Sequence, residues 1–169
     1  MMIEINKWPI YEEDEINAAA NILRSGAVNY WTGNETKMFE EEFSDFCGTK
    51  YSIALANGSL ALSACYAALR MGKNAEIITT PRTFIATSSA ARLMGLKVVF
   101  ADVELDSGCI SAATILPKIT KNTRAISVVH LGGWPAKMEE ICKLAKEYNL
   151  SVIEDCSQAH GAKIDNKSV

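Results

Sequence analysis

From residue 52 onward the chain alternates short apolar runs, rich in β-branched residues, with longer stretches of helical character, and this rhythm restricts the fold more than any other feature. The runs lie at 52–56, 76–80, 97–101, 124–130 and 151–154. The helix-like stretches lie between them at 59–71, 86–94, 112–119 and 137–148. Strands separated by helices of this length need crossover connections, which set the strands parallel and lay helices over both faces of the sheet. The later runs are apolar throughout instead of alternating, as expected of strands covered on both sides. The prediction is an α/β fold: three layers, α/β/α, around a mostly parallel sheet.

Ahead of this pattern, residues 11–25 carry acidic side chains in their first turn and stop at Gly26, which reads as a helix with a glycine stop. A loop at 28–34 leads to a second amphipathic stretch, 35–47, closed by Gly48. No repeat, low-complexity tract or Pro/Gly-rich linker divides the chain, which reads as one folding unit made of a helical lead-in, 1–50, and the domain proper, 51–169. With 169 residues and 49% hydrophobic content the chain can bury a real core. A net charge of -3 without a basic stripe argues against a nucleic-acid partner. The five cysteines are scattered, contain no CxxC pair and have only His130 and His160 to help them; this predicts neither a metal site nor a disulfide framework and suits a reducing cytosol. The N-terminus lacks a charged region followed by an apolar core, and no apolar run approaches the length of a membrane span. A cytoplasmic protein with no membrane segment is expected.

Three constellations carry chemistry. In 151–161, Ser-Val-Ile-Glu-Asp-Cys-Ser-Gln-Ala-His-Gly, an apolar run stops at two carboxylates. Ligands of open parallel sheets sit beyond the carboxyl ends of the strands, so Asp155 is a candidate ligand-binding group, and its partner should be a cation. The alternative is that Asp155 only caps the turn. Gln158 follows three residues later and shares its side if the chain turns helically there. The second constellation is Asn57-Gly58-Ser59-Leu60, a small turn between strand and helix, where free backbone N–H groups and the helix dipole favour a phosphate; it is also an ordinary turn with an N-cap. The third is Thr80-Pro81-Arg82-Thr83-Phe84, in which Phe84 can lie over a planar ligand or serve as core. Neither GxGxxG nor GxxxxGK[ST] occurs, which removes the dinucleotide and P-loop readings. A phosphate cradle, an aromatic platform and a carboxylate for a ring nitrogen, all at strand ends, describe a pocket for pyridoxal phosphate.

The motifs resemble those of the DegT/DnrJ/StrS-type sugar aminotransferases, within the aspartate-aminotransferase-like fold. The resemblance spans nearly the whole chain: Trp31-Thr32-Gly33, Asn57-Gly58-Ser59, Pro81-Arg82-Thr83-Phe84-Ile85-Ala86-Thr87, Val128-Val129-His130-Leu131-Gly132-Gly133 and the 153–161 segment. It implies the pyridoxal-phosphate-binding large domain of the fold type I aminotransferases. By resemblance Asp155 pairs with the pyridine nitrogen, Gln158 contacts the ring hydroxyl, Phe84 stacks on the ring, and Gly58, Ser59 and Leu60 hold the phosphate. The implied reaction moves an amino group, usually from glutamate, to a nucleotide-linked keto sugar, in a homodimer. His130 and His160 are expected to be structural. Arg82, Asn74-Ala75 and Lys137 depart from the family's pattern and leave the cofactor contacts intact. Lys163 and Lys167 lie in a polar stretch that reads as a hairpin and not as the segment of the Schiff-base lysine, which the resemblance places beyond Val169. No catalytic residue is therefore assigned within the chain. A family branch that dehydrates the sugar and a non-catalytic ligand-binding protein are the alternatives.

Overall fold

A computed structural model of the chain describes residues 9–169. These fall into two compact units, one ending at Ala54 and the other running from Leu55 to Val169. The first holds helices α1 (Glu13–Ser25) and α2 (Glu35–Cys47). Glu12 and Glu15 form a reciprocal capping box at the start of α1, satisfying backbone donors that have no partner inside the helix. Gly26 and Gly48 end the two helices in the left-handed region, at φ 72° and 67°, where a residue without a Cβ carries no steric cost. No residue of either helix is buried.

The first expected strand, 52–56, is corrected here: it joins no sheet among the described residues. Its β-branched composition is suitable, but a strand exists only by pairing, and the Ala54 N–H is taken by the Glu40 carboxylate of α2 at 2.8 Å. Tyr51 and Ile53 are left largely exposed.

In the second unit, the strands β1 (Glu76–Thr79), β2 (Lys97–Phe100), β3 (Thr123–Val129) and β4 (Ser151–Asp155) form one parallel sheet in the order β2-β1-β3-β4. Around it pack α3 (Gly58–Ala68), α4 (Ala86–Leu93), the short α5 (Ala112–Ile115) and α6 (Met138–Glu147). Alternate strand residues feed different cores. Ile77 and Ala125 join Leu62, Tyr66, Ala86 and Ala90 of α3 and α4, whereas Ile78 and Ile126 join Ile115, Ile141 and Leu144 of α5 and α6. Helices thus cover both faces, giving the three layers the sequence predicts, and every residue of β3 but Arg124 is buried.

Two helices are shorter than expected. The predicted 112–119 helix gives way after Ile115 to a 3-10 turn at Leu116–Lys118, because Pro117 has no N–H for the α-helical bond and its ring crowds the preceding turn. The predicted 59–71 helix ends at Ala68, since Arg70 and Gly72 turn to φ 46° and 83°. The polar stretch near the end does form a hairpin: β5 (Lys163–Ile164) pairs antiparallel with β6 (Lys167–Ser168) across Asp165 and Asn166, both at positive φ. No helix of the described residues is long and apolar enough to cross a membrane.

Candidate functional site

The chain runs from β1 outward to β2 and then returns to the other side of β1 with β3, so the strand order reverses between β1 and β3. In doubly wound sheets the crevice beyond the strand ends at such a reversal is where ligands bind. Asp155 is the last residue of β4, one strand over, and is only 8% exposed. Its Oδ1 accepts from the Ser157 hydroxyl at 2.6 Å and the Ser157 N–H at 3.3 Å, and its Oδ2 accepts from the Thr87 hydroxyl at 2.8 Å. Among the described residues no lysine, arginine or histidine forms an ion pair with it. A buried carboxylate with hydrogen bonds but no countercharge retains a desolvation cost that a cationic ligand would offset.

Thr87 is itself held from three sides. Its carbonyl accepts from the Tyr66 hydroxyl at 3.0 Å, its N–H donates to the Phe84 carbonyl at 3.3 Å, and its hydroxyl lies 3.1 Å from that of Thr83. Tyr66 also lies 3.0 Å from the Ser127 hydroxyl. Proton counting orders this network: a carbonyl and a carboxylate only accept, so Tyr66 donates to Thr87 and Ser127 to Tyr66, while Thr87 donates to Asp155 and Thr83 to Thr87. Burial, with the negative charge of Asp155 adding to it, raises the Tyr66 phenol above its ordinary value although the Ser127 bond lowers it. Tyr66 therefore remains a donor across the working pH range.

Gly58 stands beside this network, since a Cβ built on it would lie 3.4 Å from the Ser157 hydroxyl oxygen. The Asn57 side chain caps α3 by accepting the Leu60 N–H at 3.0 Å. This is the N-cap that the sequence allowed as the alternative: the N–H groups of Gly58 and Ser59 find no acceptor among the described residues, whereas that of Leu60, which the resemblance assigns to the phosphate, is engaged by Asn57. Phe84 is 68% exposed in the loop after β1, so the reading of it as core is excluded. Gln158 follows Asp155 through a turn and not a helix, and its Oε1 accepts from the Gly132 N–H at 2.7 Å. The structure thus brings Gly58, Ser157, Asp155 and Thr87 together, ties the Phe84 carbonyl to Thr87, and directs the Gln158 oxygen to the loop after β3.

His130 is fully buried and accepts the Ala136 N–H on Nδ1 at 3.0 Å, which leaves Nε2 to donate to Glu154 at 3.0 Å. That arrangement ties the ends of β3 and β4 and is structural. Arg82 lays its guanidinium over Gly108, whose φ of +66° and missing Cβ make the room. Thr87, Ser157 and Tyr66 are the site residues that sequence reasoning passed over. The available signal was weak: a tyrosine within an apolar helix needs a partner for its hydroxyl, and a serine two residues after an aspartate commonly bonds to it.

The architecture is the α/β fold with a parallel sheet of the fold type I, pyridoxal-phosphate-dependent aminotransferases, present in part, since the chain covers 42–43% of such structures. Residues 9–169 match the DegT/DnrJ/EryC1/StrS aminotransferase family, and the chain belongs to it. It superposes on the aminotransferase from Psychrobacter cryohalolentis with a TM-score of 0.96 and 45% identity, covering 97% of this chain and 42% of that one. The dTDP-3-amino-3,6-dideoxy-alpha-D-galactopyranose transaminase of Aneurinibacillus thermoaerophilus is 40% identical over 159 residues, 94% of this chain and 43% of the relative. The E. coli GDP-4-keto-6-deoxy-D-mannose-3-dehydratase, solved with bound hydrated pyridoxal phosphate, aligns with a TM-score of 0.85 and 28% identity over 94% of this chain and 42% of that one. The chain spans less than half the length of these relatives.

Proposed function

We propose that residues 51–169 form the cofactor-binding domain of a pyridoxal-phosphate-dependent aminotransferase that transfers an amino group from glutamate to the keto group of a nucleotide-linked sugar. The observation that carries this reading is Asp155, a buried carboxylate at a strand tip with three hydrogen bonds and no countercharge among the described residues. A protonated pyridine nitrogen supplies that charge, and the hydrogen bonds from Thr87 and Ser157 leave a lone pair on Oδ2 to receive it. The residues present therefore fit the cofactor. Gly58 and Ser59 would bind its phosphate through two free N–H groups and the Ser59 hydroxyl at the positive end of α3. Phe84, exposed beside Thr87, would cover one face of the ring and keep water from it. The Gln158 NH₂ would donate to the ring oxygen. When bound, pyridoxal phosphate supplies the electron sink for amino-group transfer, and Asp155 keeps the ring nitrogen protonated so that the sink works.

The reading extends to a cytoplasmic homodimer that serves the biosynthesis of surface polysaccharides, glycans or antibiotic sugars. The likeness to the E. coli dehydratase favours sugar dehydration as the second reading. The residue that separates the two reactions is the one at the position of the family's covalent lysine, which is not assigned within these 169 residues. Adding pyridoxal phosphate to the complete protein should produce an absorbance band near the visible edge that glutamate shifts. Asp155→Ala should abolish the band, and the absence of any spectral change in the wild-type protein sinks the proposal.

A further inference from the structure

Thr87 joins three elements that the proposed cofactor site needs. The two oxygens of Asp155 are held in different ways. The donors on Oδ1 are the N–H and hydroxyl of Ser157, two positions along the same turn, and they can follow the carboxylate if it rotates. The single donor on Oδ2 comes from 68 residues away, on α4, and fixes the rotation of the carboxylate relative to the sheet. The peptide groups of Thr87 add two further ties. Its carbonyl receives the Tyr66 hydroxyl from α3, the helix that begins at Gly58, and its N–H holds the carbonyl of Phe84. Thr87 is 1% exposed and Tyr66 2%, so water does not compete for these bonds, and each is worth more than it would be at the surface.

We infer that Thr87 is a positioning residue for the ring-nitrogen carboxylate: its hydroxyl sets the orientation of Asp155 and its backbone keeps Phe84 and α3 in register with it. The inference rests on the proposed function for the identity of the ligand, but its geometric part concerns only this chain. Thr83 and Tyr66 support the arrangement, the first by donating to the Thr87 hydroxyl so that its own proton stays on Asp155, the second by clamping the carbonyl.

The test uses the complete protein as wild type, Thr87→Val, Thr87→Ser, Asp155→Asn and the Thr87→Val/Asp155→Asn double variant, with pyridoxal phosphate affinity read from an absorbance titration. Valine keeps the shape and removes the hydroxyl, so Thr87→Val should weaken the cofactor about tenfold, as befits the loss of one hydrogen bond to a charged group. Thr87→Ser should restore most of that loss. In the Asp155→Asn background, Thr87→Val should have little further effect, because its route to the ligand is already cut. Wild-type affinity in Thr87→Val, or a tenfold loss that persists in the Asp155→Asn background, overturns the inference and leaves Thr87 a merely structural residue. A second arm needs no cofactor. A crystal structure of cofactor-free Thr87→Val should show the Asp155 carboxylate rotated, with Ser157 following it, and an unmoved carboxylate overturns the inference by itself. If the wild-type protein fails to bind pyridoxal phosphate, the proposed function falls, and this structural arm still decides the geometry.

Discussion

Asp155 is tolerated in a nearly dry position because hydroxyl and amide donors surround it, and the same donors explain why neighbouring residues are what they are. Tyr66 sits two bonds away and shows how the network depends on pH. Its phenol ionises less readily in the fold than in the unfolded chain, where its ordinary value is 10.0. A group whose folded value is raised contributes stability that is fully present below the unfolded value and lost as the pH rises past it. Stability of the wild-type protein should therefore fall as the pH climbs above about 10, and the part of that fall due to Tyr66 should be missing from Tyr66→Phe. At neutral pH the same variant leaves the Thr87 carbonyl and the Ser127 hydroxyl without their buried partner, at a cost of about 1–3 kcal/mol. Urea unfolding at pH 7 and at a series of alkaline pH values checks both statements.

Elements in this chain end where backbone geometry demands it. The stops at Gly26 and Gly48 follow from the freedom of glycine at positive φ, and Pro117 ends α5 by removing a donor. The hairpin of β5 and β6 is a sharper case, because Asp165 and Asn166 hold φ of 48° and 64° without being glycine. Two-residue turns of this kind prefer glycine at the second position. Asn166→Gly should be neutral or stabilising by a few tenths of a kcal/mol, and Asn166→Val should cost about 1–2 kcal/mol, since a β-branched side chain is crowded in the left-handed region. Thermal unfolding of the two variants should separate them in that order. The site obeys similar local logic: β4 ends at Asp155 because the run turns polar there, and α3 starts at Gly58 because Asn57 can cap it.

At the scale of the molecule, the two units differ in what protects their backbone. β3 lies in the middle of the sheet between two apolar cores, while α1 and α2 bury no residue at all. Hydrogen exchange on the 169-residue chain should show the slowest amides in β1 and β3 and far faster exchange in α1 and α2; uniform protection across both would contradict this partition. Local patterning was enough to read most of the sheet and its layers, because strand composition, helix period and glycine stops act over a few residues each. Asp155 and Phe84 could be singled out as candidates for the same reason, as a carboxylate at the tip of one strand and an aromatic in the loop after another. The run at 52–56 was misread because its local composition suits a strand, whereas a strand also needs a neighbour that composition cannot supply. Whether the turn at Asn57 offers free amides or an N-cap is settled only when the turn is built, and the Asn57 side chain takes the Leu60 N–H. The partners of Thr87 and Tyr66 could not be read from the sequence for a deeper reason: they lie 68 and 61 residues away, at Asp155 and Ser127. The sequence alone decided which groups stand at the ends of the strands. Only the tertiary structure decided which of them meet, because a hydrogen bond between distant residues depends on the sheet order and register that bring them within 3 Å.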